Sequence, residues 1–114
     1  MLEKLKPVKD YRNFLENYFE KNTENNIQAI LYYAPWCEFS QKVLPIWAEF
    51  QTYADTYFEN VQVTKIDCTI ENYPNIQAYP TIIFSKNGIE SEYYGNRNLE
   101  SFIEYTVTLN SYNL

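Results

Sequence analysis

The chain has 114 residues, 46% hydrophobic and 18% aromatic, which is enough apolar material for one folded domain and too much for a disordered chain. A net charge of -6 without a Lys/Arg cluster argues against nucleic acid as the main partner. The lack of histidine excludes Cys-His and Ser-His-Asp catalysis and the usual zinc sites, and two cysteines cannot build a disulfide framework. No apolar run approaches the roughly 20 residues of a membrane span. We therefore expect one soluble, monomeric domain over residues 1–114 that binds no metal.

The first predicted elements are a helix and a buried strand. Residues 10–20 carry apolar side chains at helical spacing, and Asp10 can cap the start of that helix. The polar segment 21–26 is predicted to be a loop. Residues 27–34 form an apolar run that ends at Pro35, which predicts a buried central strand.

A long helix and a second strand are predicted next. The helix extends from about residue 37 to 58, and Pro45 inside it should kink it, because proline lacks the backbone donor. Residues 61–67 alternate and are rich in β-branched side chains, which predicts a strand. Residues 69–78 are ambiguous, since Pro74 limits any helix there to a turn or two. The apolar face of the long helix should hold Val43, Leu44, Trp47 and Phe50.

The last part of the chain predicts a hairpin and a closing helix. A short buried strand over 81–85 and an antiparallel return strand over 89–94 flank the turn signal Asn87-Gly88. Asn98 can cap the helix that follows. The inner face of that helix should hold Leu99, Phe102, Ile103 and Val107.

The order of these elements predicts an α/β fold. Strands separated by helices pair in parallel, and the terminal hairpin adds an antiparallel edge. We expect a central mixed sheet of four to five strands with helices on both faces.

Cys37 is the residue that local chemistry singles out. It follows a buried strand and begins a helix, so it lies at the positive end of a helix dipole beside unpaired backbone N–H groups. Both effects favour the thiolate, which is the nucleophilic form. On position alone, the alternative that Cys37 is an ordinary small apolar residue stays open.

Five ordered segments resemble the thioredoxin superfamily, closest to the catalytic domains of protein disulfide isomerases. The resemblance covers about residues 8–108 and implies a thioredoxin fold. The segments are YAPWC (33–37), QKVLPIW (41–47), KIDCT (65–69), YPT (79–81) and YGNR (94–97).

The resemblance implies the roles of five residues. Cys37 is the attacking cysteine, and Pro80 follows a cis peptide bond. The backbone of Tyr79 then faces Cys37 and pairs with an extended substrate segment. Trp36 and Gly95 line the same groove. Surface packing for Trp36 and an ordinary turn for Pro80 are the alternatives.

The motif departs from the dithiol pattern of the family at two positions. Ser40 stands where a dithiol enzyme has its resolving cysteine, and a hydroxyl can hydrogen-bond a thiolate but cannot attack a mixed disulfide. Leu31 stands where the family keeps a buried acid, so Lys65 has lost its acidic neighbour. Arg97 resembles an arginine that tunes the second cysteine, which is absent here. The paired losses favour holding one disulfide over rapid dithiol turnover.

Cys68 is the second cysteine and ends the strand predicted next to the Cys37 strand. It is either a buried inert residue or a second redox thiol that resolves the Cys37 disulfide.

Three functions follow from the resemblance. The first is monothiol thiol–disulfide exchange, with Cys37 forming mixed disulfides with cysteine-containing client proteins or glutathione, a candidate co-substrate; no other cofactor is expected. The second is a non-catalytic client-binding or retention module, as in isomerase relatives with a Cys-x-Phe-Ser motif. The third is an iron–sulfur or glutathione carrier like the monothiol glutaredoxins, whose surrounding motifs match poorly. Both a secretory lumen and a cytoplasmic or virion compartment stay open.

Overall fold

The computed structural model describes residues 26–111, which form four strands and two helices. The helix predicted over 10–20, and any strand before it, lie outside the described residues. In chain order the elements are β1 (Ile27–Tyr33), α1 (Glu38–Tyr57), β2 (Val61–Asp67), β3 (Thr81–Lys86), β4 (Ile89–Glu92) and α2 (Leu99–Ser111).

The four strands form one mixed sheet in the order β2-β1-β3-β4. β1 pairs with β2 in parallel and with β3 antiparallel, and β3 pairs with β4 antiparallel. The predicted mixed sheet, in which the strand that begins at Ile27 is central, is therefore confirmed. Because β1 and β2 are parallel, their carboxyl ends meet at the same edge of the sheet.

One face of the sheet carries the core of the described part. Every second residue of β1 is buried there, because successive side chains of a strand point to opposite faces. The buried Ala29 of β1 pairs with the buried Phe84 of β3.

Both described helices pack on this face of the sheet. The Phe84 ring centroid in β3 lies 6.3 Å from that of Phe50 in α1 and 4.7 Å from that of Tyr105 in α2. The two helices also meet, with 5.0 Å between the ring centroids of Trp47 and Phe102. A helix on the other face of the sheet stays a prediction.

The long helix α1 buries the face that its spacing predicted. Val43, Trp47 and Phe50 are buried, and Leu44 is partly buried against the core. The indole N–H of Trp47 donates to the Thr64 carbonyl at 2.8 Å, which joins α1 to β2. Pro45 lies inside the helix.

The hairpin and the cap of α2 form as predicted, but the inner face of α2 differs by one residue. Asn87 and Gly88 both have positive φ, 58° and 83°. The Asn98 side chain accepts a hydrogen bond from the Ser101 N–H at 2.8 Å. Val107, predicted to face the core, is 49% exposed, while Thr106 is fully buried. Thr106 follows Phe102 by four residues on the same face, and its hydroxyl donates to the Phe102 carbonyl, so its polar group is satisfied inside the core.

Two further expectations are adjusted by the structure. The return strand is shorter than 89–94, ending at Glu92, although the Tyr93 N–H still donates to the Ile82 carbonyl. Segment 69–78 contains turns and no helix.

Within residues 26–111, no helix is long and apolar enough to cross a bilayer.

Candidate functional site

Cys37 is the N-cap of α1, four residues after β1 ends. Its φ and ψ, -85° and 126°, are extended, as is usual for an N-cap. Its N–H donates to the Ala34 carbonyl at 3.0 Å, and its carbonyl accepts from the Gln41 N–H at 2.9 Å. The half-buried thiol therefore lies where the first N–H groups of the helix point.

These N–H groups lower the pKa of the Cys37 thiol. The largest cause is hydrogen bonding from the Ser40 backbone N–H. Loss of water contact acts in the opposite direction, and the Phe39 N–H, the Ser40 hydroxyl and the positive charge of Arg97 each lower the pKa further. The lowered pKa increases the thiolate fraction of Cys37 at neutral pH.

Ser40 is fully buried, and its hydroxyl interacts with the Ala34 N–H and with the Cys37 sulfur. It accepts a hydrogen bond from the Ala34 N–H at 3.2 Å. A hydroxyl can accept and donate at the same time, so its proton is available to the Cys37 thiolate. Ser40 thus holds the loop before the cysteine through Ala34 and also stabilises the Cys37 thiolate.

The loop before β3 lies against the cysteine. The Tyr79–Pro80 peptide bond is cis, and the Cys37 Sγ lies 3.6 Å from the Tyr79 carbonyl oxygen. The ring of Trp36, 69% exposed, meets the Tyr79 ring edge-on at 6.0 Å between centroids. The Thr81 hydroxyl donates to the Ala78 carbonyl at 2.7 Å and helps to hold this loop. The structure therefore brings together Cys37, Ser40, Trp36, Tyr79 and Pro80.

Gly95 has a local structural reason to be glycine. A Cβ at this position would lie 2.6 Å from the Tyr93 hydroxyl oxygen, so a side chain here would force Tyr93 to move. The Tyr93 hydroxyl donates to the Asn96 carbonyl and closes the same loop. The position of Gly95 in a substrate groove stays a prediction.

Cys68 lies at the same sheet edge but in different surroundings. Its N–H donates to the Tyr33 carbonyl at 2.9 Å, beside the end of β1. Loss of water contact, and then the negative charge of Asp67, raise the pKa of its thiol. Its electrostatic neighbours include Tyr32 and Tyr73, whose rings meet at 5.8 Å. Both cysteines are free, and a resolving role for Cys68 stays a prediction.

Leu31, at the position where the resemblance implies a buried acid, belongs to the apolar core. Leu31 is fully buried and pairs with the exposed Lys65 across β1 and β2. A leucine there supplies no group that could accept or release a proton. Among residues 26–111, no cluster of three metal-binding side chains occurs.

Two neighbours of Cys37 were given no role by the sequence. Gln41 donates through its side-chain Nε2 to the Pro35 carbonyl at 2.8 Å. Phe39 is 58% exposed on the first turn of α1, with the Lys42 ammonium 5.7 Å from its ring centre. The signal that could have identified them is their place in the first turn after the cysteine, where side chains reach back to the preceding loop.

The family model described as thioredoxin matches residues 10–108. The chain is 33% identical over 97 residues to the thioredoxin domain-containing protein 5 homolog of Drosophila melanogaster, covering 79% of this chain and 23% of that protein. It is 32% identical over 95 residues to protein disulfide-isomerase TMX3 of Homo sapiens, which covers 80% of this chain and 21% of that protein.

Solved structures give the same likeness. This chain superposes on the zinc-bound form of human ERp44 with a TM-score of 0.70 and 30% sequence identity. The match covers 84% of this chain and 30% of the ERp44 chain. It superposes on the first thioredoxin domain of mouse protein disulfide-isomerase A4 with a TM-score of 0.68 at 21% identity. That match covers 87% of this chain and 74% of the mouse domain and shows that the fold is shared. The chain spans less than a quarter of the length of both curated relatives named above.

Proposed function

The chain belongs to the thioredoxin family, as a domain of the protein disulfide isomerase type, and from that premise we propose that it performs monothiol thiol–disulfide exchange. Cys37 forms mixed disulfides with cysteine-containing client proteins. One observation carries the proposal: a thiol with a lowered pKa at a helix N-terminus faces the Tyr79 carbonyl, with Ser40 behind it where a second thiol would stand.

The proposed step is a balanced exchange. The Cys37 thiolate attacks one sulfur of a client disulfide, so a Cys37–client S–S bond forms while the client S–S bond breaks. The released client sulfur leaves as a thiolate and takes a proton from water. Because the Ser40 hydroxyl cannot attack a disulfide, the adduct persists until another thiol attacks it.

Release requires a thiol from outside the Cys37–Ser40 pair. The thiolate of glutathione, or of a second client cysteine, attacks the client sulfur of the adduct. A client–glutathione disulfide, or a disulfide within the client, forms as the Cys37–client S–S bond breaks, and Cys37 leaves as a thiolate. Glutathione is thus a co-substrate in this proposal. The raised pKa of the Cys68 thiol makes it a poorer nucleophile at neutral pH, which favours the external thiol.

The client segment is proposed to bind across Trp36 and the Tyr79–Pro80 loop. Trp36 offers a large exposed aromatic surface beside the sulfur. An extended segment that pairs with the Tyr79 backbone would place its own sulfur near Cys37, within the reach of an in-line attack.

The test is to trap adducts by acid quenching and map them by mass spectrometry. Reduced protein is mixed with a peptide disulfide, and the adduct is expected on Cys37, stable until glutathione is added. The Cys68→Ala variant is the matched control and should form the adduct at an unchanged rate. Adducts that persist in Cys37→Ala would overturn the proposal.

A second candidate function is client binding without turnover. The observation that favours it is the pair of exposed aromatic side chains, Trp36 and Phe39, that flank Cys37 in the sequence. In that case Cys37→Ala should still bind an unfolded, cysteine-free polypeptide, while Trp36→Ala should bind it about tenfold more weakly. Equal affinity of these two variants would count against the groove as a binding surface.

A further inference from the structure

The segment that leads into Cys37 is held by hydrogen bonds from the first turns of α1. Ser40 and Gln41, consecutive in the helix, bind Ala34 and Pro35, consecutive in the loop. The Ala34 N–H donates to the Ser40 hydroxyl, and the Pro35 carbonyl accepts from the Gln41 side chain at 2.8 Å.

Proline has no N–H, so its carbonyl is the only backbone group through which Pro35 can be held by a hydrogen bond. The side chain of Gln41 supplies that bond. Its backbone N–H also binds the Cys37 carbonyl at 2.9 Å. Gln41 therefore holds both ends of the segment Pro35–Cys37, with Trp36 between them.

We propose that Gln41 is a positioning residue that keeps Trp36 against the Tyr79 loop, so that Cys37 is presented to disulfides carried on polypeptides. The inference rests on the proposed exchange function and names the substrate class it favours. Gln41 acts through Trp36, whose ring lies 6.0 Å from that of Tyr79, and not on the sulfur itself.

The sulfur is stabilised by other groups. The hydrogen bonds that lower the Cys37 pKa come from Ser40 and Phe39, inside the first turn of α1. Removing the Gln41 side chain leaves those N–H groups in the helix. A small disulfide needs only the thiolate, whereas a polypeptide also needs the surface formed by Trp36 and Tyr79.

The experiment compares two probes on the full chain. The first is oxidised glutathione, on which attack forms a Cys37–glutathione disulfide and releases one glutathione thiolate. The second is a ten-residue peptide with one cysteine blocked as a disulfide with glutathione, on which attack at the peptide sulfur forms a Cys37–peptide disulfide and releases glutathione; this product is the one counted. Second-order rates of attack by Cys37 are measured for the wild type, Gln41→Ala and Gln41→Lys. Gln51→Ala removes another exposed glutamine of α1 and is the matched control.

We expect Gln41→Ala to slow attack on the peptide roughly three- to tenfold, the range expected when one hydrogen bond is lost. Attack on oxidised glutathione should stay within about twofold, and the pH midpoint of Cys37 alkylation should not move. Gln41→Lys keeps a donor and should recover most of the peptide rate, and Gln51→Ala should match the wild type. Equal slowing on both probes, a shifted pH midpoint in Gln41→Ala, or no effect on either probe would overturn the positioning role.

A readout that needs no exchange separates this inference from the proposed function. Trp47 is buried and Trp36 is exposed, so the loss of tryptophan fluorescence anisotropy through local ring motion reports on Trp36. Gln41→Ala should lower that anisotropy and Gln51→Ala should not. If the wild type forms no adduct with either probe, the exchange function fails. Unchanged anisotropy in Gln41→Ala means that the positioning role fails.

Discussion

Cys37 and Cys68 follow neighbouring parallel strands at the same edge of the sheet, and their surroundings affect the two thiols in opposite directions. Cys37 begins a helix of 20 residues, and backbone N–H groups of its first turn lower the thiol pKa. Cys68 begins a turn, where lost water contact and the Asp67 carboxylate raise the pKa. Reactivity at this edge therefore depends on which strand is followed by a helix, since only an unpaired helix N-terminus supplies several N–H donors at once.

The largest expected effect comes from giving Cys37 a nearby partner. Ser40→Cys places a second thiol one helical turn from Cys37, where it can attack the mixed disulfide and expel the client. We expect the lifetime of the adduct to fall by about tenfold or more, measured by acid quenching at timed intervals. The same substitution in Cys68→Ala should shorten it equally. A lifetime that shortens only when Cys68 is present would instead make Cys68 the resolving thiol.

The pH dependence of alkylation measures the contrast between the two cysteines directly. A thiol reacts as the thiolate, so the Cys37 rate should rise at a lower pH than that of an ordinary cysteine, and the Cys68 rate at a higher pH. Labelling with iodoacetamide from pH 5 to 10, followed by peptide mapping, should modify Cys37 well before Cys68 near neutral pH. Identical profiles would remove the distinction between the two sites.

Ser40→Ala should weaken both the reactivity of Cys37 and the fold around it. Losing the hydroxyl donor raises the Cys37 pKa, although the larger backbone contributions stay. The Ala34 N–H, on a fully buried residue, loses its partner, which costs about 1–3 kcal/mol of unfolding free energy. Urea unfolding and the alkylation profile check the two effects. Ser111→Ala, at the exposed end of α2, should change neither.

The smallest expected effect comes from the charge of Arg97. It is the last of the contributions that lower the Cys37 pKa, so Arg97→Gln should raise the alkylation midpoint slightly. Because Arg97 is exposed, the difference from the wild type should shrink as salt is raised from 0.02 to 0.5 M, since the Debye length falls from roughly 20 Å to 4 Å. Lys65→Gln is the charge-matched control and should leave the midpoint in place. A shift that salt does not reduce would argue against a Coulombic origin.

Much of the fold could be predicted because its signals are local. Strands β1 and β2 and helix α1 match their predicted positions to within a residue or so, since periods of two and 3.6 are written in neighbouring side chains. The Asn98 cap and the Asn87-Gly88 turn likewise depend on a few consecutive residues. The predicted inner face of α2 was wrong at Val107, which is exposed, while the polar Thr106 is buried. Thr106 can be buried because its hydroxyl donates to the Phe102 carbonyl one turn earlier.

The sequence by itself determined that Cys37 begins a helix after a buried strand. Its resemblance to the family added the expectation that Ser40 stands at the position of a thiol and Leu31 at that of an acid. Only the tertiary structure decided what surrounds the sulfur. The contact from Cys37 to the Tyr79 carbonyl joins residues 42 positions apart, and Cys68 binds the end of β1 through strand pairing. Local spacing specifies which residues share a face, but the packing of α1 and the sheet decides which faces meet, and that packing depends on the whole core at once.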